Sequence, residues 1–227
     1  MSKSNMYDWI TGTKNFIRGA CEHKCAYCYV KKSRVKKLYE GPPKLIESQF
    51  KSLGKGNFWF IGSMIDMFAE GISEDWIYKT LEYCQEFQNK YLFQSKNPNR
   101  MRDFFMHFPS DTVIGTTIET NREYSEMGKA PPTIKRVLAL RELSNDFPVM
   151  VTIEPIMDFD TFDLVHIIRM CDPEWVNVGA DSQNSGLPEP SADKVKELIR
   201  ILKMSGVKVK IKDNLKRLCP DAGSEDL

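Results

Sequence analysis

The sequence predicts an α/β chain built on a parallel sheet: an open or partial (β/α) barrel of six or seven units. Three observations carry this expectation. Short runs rich in β-branched and aromatic residues alternate with longer amphipathic segments. The runs are continuous and apolar, as strands buried on both faces require. Nearly every run ends in small or polar residues, and parallel α/β folds build their sites at the C-terminal ends of strands. A full eight-unit barrel usually takes about 250 residues, more than the 227 present. A doubly wound open sheet shows the same alternation and stays open as a second architecture, because sequence alone does not set strand order.

Taken in order, strands are expected near KNFIRGA (14–20) and at 57–62, 91–95, 112–118, 148–154, 174–179 and 207–212. Helices are expected at 43–53, 73–88, 97–105, 132–145, 160–171 and 191–205. Ser73 and Ser191 each precede an acidic first turn and read as N-caps, and Gly206 stands where a C-terminal cap belongs. Adjacent aromatics Phe58, Trp59 and Phe60 read as core packed against crossover helices. Neither a repeat nor a linker divides the chain. One domain spanning 1–227 is expected, with its core at 9–216 and a tail at 217–227.

Hydrophobic content of 41% and charged content of 28% describe an ordinary globular protein. The absence of a bilayer-length apolar run, and an opening segment without the apolar core of a secretory signal, give a cytoplasmic expectation. In that reducing compartment six cysteines argue against a disulfide framework. Cys84 and Cys171 fall in partly apolar helical stretches and read as small buried hydrophobes; Cys219 is isolated. The net charge of +1 conceals an asymmetry: residues 1–56 hold 12 Lys/Arg against 4 Asp/Glu. The densest basic run, KKSRVKK at 31–37, reads either as a solvated face or as a platform for a phosphate-bearing partner.

That run directly follows CEHKCAYCY, in which Cys21, Cys25 and Cys28 are spaced Cys-x3-Cys-x2-Cys. Thiolates favour zinc or iron–sulfur clusters. Structural zinc usually takes four ligands in paired knuckles. No second Cys-x2-Cys or His-x3-His follows, and His23, inside the loop, would complete a zinc site only awkwardly. A [4Fe–4S] cluster held by three cysteines keeps one iron open, as a catalytic site requires. A non-catalytic iron–sulfur or zinc module remains the alternative.

With Tyr27 directly before its third cysteine, the loop resembles that of the radical S-adenosylmethionine (SAM) superfamily. The segments IGSMIDMF, FQSKNPNRM, GTTIET, TIEPIM and VNVGADSQNSG extend the resemblance over about residues 9–216. They are similar to an uncharacterised radical-SAM-like family of phages and mobile elements, and more distantly to spore photoproduct lyase. The resemblance implies a partial (β/α)6–7 barrel, a [4Fe–4S] cluster on Cys21, Cys25 and Cys28, and SAM chelating the fourth iron. It also implies a one-electron donor such as flavodoxin or ferredoxin, reductive cleavage of SAM to a 5′-deoxyadenosyl radical, and hydrogen abstraction from a substrate. That substrate is unidentified; a nucleic acid or nucleoside fits the basic run.

Two departures are visible. Where the superfamily often carries Gly-Gly-Glu for the SAM amino group, this chain has Gly62, Ser63 and, three residues on, Asp66, so Asp66 or Ser63 substitutes. The phage family's Gly-Gly-Glu-Ser-Gly reads Gly179-Ala180-Asp181-Ser182 here, which keeps the charge and shortens its reach. Along the remaining rim, Ser95 and Lys96 are expected at the SAM carboxylate or ribose, aided by a helix N-terminus. Tyr27 is expected near the adenine, and Thr117 and Glu119 toward the ribose or substrate. Glu154 either points into the mouth or forms a salt bridge. Lys212, Asp213 and Asn214 contact substrate or close the barrel seam.

Overall fold

The computed structural model describes residues 6–223. Among the described residues nine strands and five α-helices form in chain order. They are β1 (Gly12–Lys14), β2 (Ile17–Arg18), β3 (Lys44–Leu45), β4 (Phe58–Ile61), α1 (Glu74–Gln85), β5 (Lys90–Gln94), α2 (Pro98–Met101), β6 (Thr112–Thr117), α3 (Thr133–Leu143), β7 (Val149–Ile153), α4 (Thr161–Met170), β8 (Trp175–Val178), α5 (Ala192–Met204) and β9 (Val209–Ile211). Seven strands make one parallel sheet in the order β1-β4-β5-β6-β7-β8-β9, and β2 pairs antiparallel with β3 outside it.

Strand order decides between the two architectures. Each crossover steps to the next position in the same direction, so the order never reverses as a doubly wound sheet demands. A right-handed series of this kind keeps its helices on one face and curls the other into a half barrel.

Side-chain parity sorts the strand residues between the two faces. Tyr91, Phe93, Ile114, Val149, Val151 and Val176 join the large core beneath the helices. Their neighbours Phe60, Leu92, Val113, Met150 and Trp175 turn inward and pack with Tyr7 and Trp9. Trp9 bridges the half barrel, stacked on Tyr7 at 4.8 Å and edge-on to Trp175 at 5.2 Å. The inward rows change character as the strands rise: Leu92 gives way to Gln94, Val113 to Thr117, Met150 to Thr152, and Trp175 to Asn177. The strand starts thus form an apolar floor, and the strand ends form a polar mouth.

Several expectations are corrected. KNFIRGA is not one strand: β1 ends at Lys14 because Asn15 leaves the sheet to hold the turn after β4, accepting from Met64 N at 2.9 Å. The 43–53 helix is absent. Lys44 and Leu45 pair with β2 instead, and Phe50 packs on Phe16 and Tyr83 at ring separations of 4.6 and 5.0 Å. The 97–105 helix is one α-turn followed by a 3-10 segment, Arg102–His107. Ser191 caps α5 by accepting from Lys194 N, whereas Ser73 occupies the N-cap of α1 without a side-chain bond. Of the aromatic trio, only Trp59 packs on the main core; Phe60 lies in the interior floor with Phe58 packed against that floor, and neither is beneath the helices. In the segment expected as a tail, Cys219 and Ala222 are buried in the main core; residues 1–5 and 224–227 lie outside the described residues. Cys84 and Cys171 are fully buried, as expected of apolar cysteines.

Candidate active site

The cysteine loop follows β2 and coils through tight turns, with Lys24 N bonded to the Cys21 carbonyl and Cys28 N to the Cys25 carbonyl, each at 3.3 Å. Lys24 takes a left-handed φ of 55° to make the bend. A second segment, after β6, clamps this loop from outside. Ala26 N donates to Glu126 O at 2.8 Å, Lys129 N to His23 O at 2.6 Å, and Cys25 Sγ to Met127 O at 3.3 Å. Close approach is possible because residue 128 is glycine. Its φ is +68°, and a Cβ there would sit 2.2 Å from the His23 carbonyl oxygen. Gly128→Ala is therefore expected to push the clamp off the loop and lower iron retention after reconstitution several-fold, while α/β circular dichroism stays unchanged. Full iron retention would show that the clamp does not hold the loop.

His23 anchors the loop to the sheet. Its Nε2 lies 2.7 Å from Asp66 Oδ2, with both side chains nearly buried. Asp66 ends the turn that begins at Gly62, where φ is +77°. Its carboxylate also accepts from Ser95 Oγ at 2.8 Å, Lys96 N at 2.8 Å and Phe68 N at 3.0 Å. Burial pushes the Asp66 carboxyl up, but the His23 hydrogen bond and charge, with the other donors, hold it below its ordinary value. Its acceptor capacity is filled by the protein. Burial, with the Asp66 charge nearby, pushes the Cys21 thiol up to about 12, so any metal entering must displace its proton.

A buried charge network adjoins Cys25. Lys96 Nζ lies 2.5 Å from Glu119 Oε1, 2.6 Å from the Tyr27 hydroxyl and 3.5 Å from Cys25 Sγ. The Tyr27 hydroxyl itself donates to Glu119. On the far side Arg136 Nη1 reaches Glu119 Oε2 at 2.7 Å and the Thr117 carbonyl at 2.9 Å. Neither Glu119 nor Arg136 has any side-chain exposure. Burial opposes ionisation of Glu119, yet the Lys96 and Arg136 charges more than offset it and hold the carboxyl well below the usual range. Burial and the Glu119 charge push the Tyr27 phenol up, which keeps it protonated and donating.

Across the mouth, Glu154 meets Lys212 Nζ at 2.5 Å and Asn214 Nδ2 at 2.7 Å. The ion-pair reading of Glu154 holds, and this pair ties β7 to β9. Gly179 is needed beneath it, since a Cβ there would approach Glu154 Oε1 and Asn214 Oδ1 to 2.9 Å. Asp213 faces solvent near Lys216.

Of the expected rim residues, the structure brings Tyr27, Lys96 and Glu119 together beside Cys25, and Asp66 and Ser95 together beneath His23. Thr117 Oγ1 stands apart, accepting from Gln94 Nε2 at 3.1 Å. Ser63 faces Asn15 and accepts the Tyr29 hydroxyl at its carbonyl. Sequence reasoning missed Arg136, whose signal was its place on the buried stripe Thr133, Arg136, Val137, Leu140. It also missed the Met127–Gly128 clamp, which had no signal beyond an isolated glycine.

No family model matches the chain, and no curated protein matches it in sequence. Solved structures do match in fold. A spore photoproduct lyase variant superposes over 88% of this chain and 75% of its own, with TM-score 0.64 and 11% identity. Another, with bound AdoMet and dinucleoside spore photoproduct, covers 82% of this chain at TM-score 0.59 and 12% identity. This chain spans 63% of that protein's length. Native anSMEcpe with bound AdoMet and a peptide covers 88% of this chain and 63% of its own, at TM-score 0.52 and 8% identity. The half barrel that carries the cysteine loop is thus the radical SAM fold, shared with spore photoproduct lyase and anSMEcpe.

Proposed function

We propose that the protein is a radical SAM enzyme in which Cys21, Cys25 and Cys28 bind three irons of a [4Fe–4S] cluster and SAM takes the fourth. The observation that carries this reading is the donor set. Three thiols share one loop beside the polar mouth, and His23, the loop's imidazole, is already held by Asp66 at 2.7 Å. Tetrahedral zinc needs a fourth ligand. When bound, cluster and SAM would supply reductive C–S cleavage and, through it, hydrogen abstraction from the substrate.

The chain's own residues position that chemistry. Asp66 holds the loop through His23 and the end of β5 through Ser95, a positioning role in place of SAM contact. Lys96 sets a cation beside Cys25 and receives the SAM carboxylate, with Glu119 and Tyr27 fixing its direction. Gly62 and Ser63 would flank the amino end from β4 and Thr117 would face SAM or substrate from β6, while Glu154, paired with Lys212, holds the β7–β9 edge of the mouth.

For the substrate we favour a nucleic acid or nucleoside. The support is the spore photoproduct lyase likeness, in which one neighbour holds a dinucleoside spore photoproduct; anSMEcpe, with its bound peptide, represents the other class. Anaerobic reconstitution is expected to give about four iron and four sulfide per chain and, with a reductant, 5′-deoxyadenosine from SAM. Stoichiometric zinc without iron would overturn the reading. Iron uptake without SAM cleavage would leave only a structural or redox-sensing cluster.

A further inference from the structure

We infer that the exposed basic segment Lys31–Lys37 is the docking surface for a small acidic protein that delivers the single electron consumed by the proposed reaction, an inference that rests on that reading. The segment between β2 and β3 is closed at its base where Ala20 N bonds Gly41 O at 2.8 Å. Cysteine loop and basic run therefore belong to one excursion. Two 3-10 turns, Tyr29–Lys32 and Lys36–Tyr39, shape the run, and Cys28 is the residue before the first. Lys31 N donates to the Cys28 carbonyl at 3.1 Å, and Lys31 Nζ to the Cys25 carbonyl at 2.8 Å. The basic surface is bonded directly to the backbone of two proposed cluster ligands.

Charge and apolar exposure then identify the partner. Lys31, Lys32, Arg34, Lys36 and Lys37 are all exposed, and among the described residues none lies within ion-pair distance of a carboxylate. Elsewhere on the surface, Lys79, Arg102, Arg122, Lys194 and Arg217 are each paired. Five uncompensated cations in so short a span repel one another, and an acidic surface relieves that repulsion. Val35 and Leu38, 43% and 44% exposed, sit among these cations. An apolar centre with a charged rim is the anatomy of a protein interface. Single-stranded nucleic acid would instead call for aromatic faces on which bases stack. The aromatics here are spent inward: Tyr39 is buried, and the Tyr29 hydroxyl donates to Ser63 O at 2.7 Å. In the step served, one electron leaves the partner's reduced centre and enters the cluster. The partner is oxidised by one electron, the cluster is reduced by one, and no bond or proton changes place.

The test uses the reconstituted full chain and flavodoxin as the acidic probe. Binding is measured by calorimetry between roughly 50 and 300 mM salt, and cluster reduction by the loss of its visible absorbance. Arg34→Glu/Lys36→Glu/Lys37→Glu is expected to weaken flavodoxin binding about tenfold or more, flatten its salt dependence and slow reduction by flavodoxin to match. Reduction by dithionite, which needs no docking, should be unchanged. Val35→Ser/Leu38→Ser should weaken binding while leaving the salt dependence intact. Unaltered flavodoxin binding in both variants overturns the inference. So does a triple variant that loses affinity for single- or double-stranded oligonucleotides while keeping flavodoxin. Failure to take up iron overturns the enzymatic reading instead, and the binding measurement still scores the surface.

Discussion

Replacing any one of Cys21, Cys25 or Cys28 with Ala is expected to abolish SAM cleavage, while Cys84→Ala and Cys171→Ala leave it measurable. Each loop thiol is assigned its own iron, so no remaining side chain can substitute: His23 is committed to Asp66, and the other cysteines are buried in the core. Burial also pushes the Cys84 thiol up and keeps it protonated, which suits packing and not ligation. The Cys21 and Cys28 variants should fold normally, because those residues only border the main core. Cys25 belongs to a smaller buried cluster with Tyr27 and Met127, so its variant is compared by thermal melt as well. Iron content and 5′-deoxyadenosine, measured together, check the expectation. Undiminished cleavage in any one loop variant would remove that cysteine from the ligand set.

The second large effect is on stability. Glu119→Gln leaves Arg136, with no exposed side-chain surface, and Lys96 facing a neutral amide in place of their shared carboxylate. Breaking a buried ion pair from one side costs about 3–5 kcal/mol. For a chain of this length that corresponds to a fall of about 10 °C in Tm. Adding Arg136→Met to Glu119→Gln should recover part of the loss, because a well-packed apolar side chain replaces a buried ion without its desolvation cost. Thermal melts of the single and double variants check both statements. A single variant as stable as the parent would mean that the network contributes nothing to folding. The network also sets an acid limit. Glu119 has its carboxyl lowered in the fold, so its contribution is complete above the unfolded value of about 4.3 and is lost as pH falls from there toward the folded value. Stability measured below about pH 4 should therefore fall more steeply for the parent than for Glu119→Gln.

Much of the site was visible in the sequence because its chemistry is local. Cys21, Cys25 and Cys28 stand out as a three-thiol loop by spacing alone, and Lys96, Glu119 and Glu154 follow apolar runs at the positions where parallel strands end. The strand read at 14–20 and the helix read at 43–53 failed for a common reason. Asn15 and Phe50 are recruited by Met64, Phe16 and Tyr83, residues far away in the chain whose positions propensity cannot supply.

By itself the sequence determined the parallel α/β class, the three-thiol loop and the polar strand ends, since each follows from neighbours a few residues apart. Only the tertiary structure decided the strand order that makes a half barrel, the Arg136–Glu119–Lys96 network beside Cys25, the His23–Asp66 anchor and the Gly128 clamp. Those pairings join residues brought together by chain crossovers, and burial gives them their strength: a carboxylate that would be an ordinary surface acid in water becomes, in the dry base of the mouth, the fixed counter-charge of two cations.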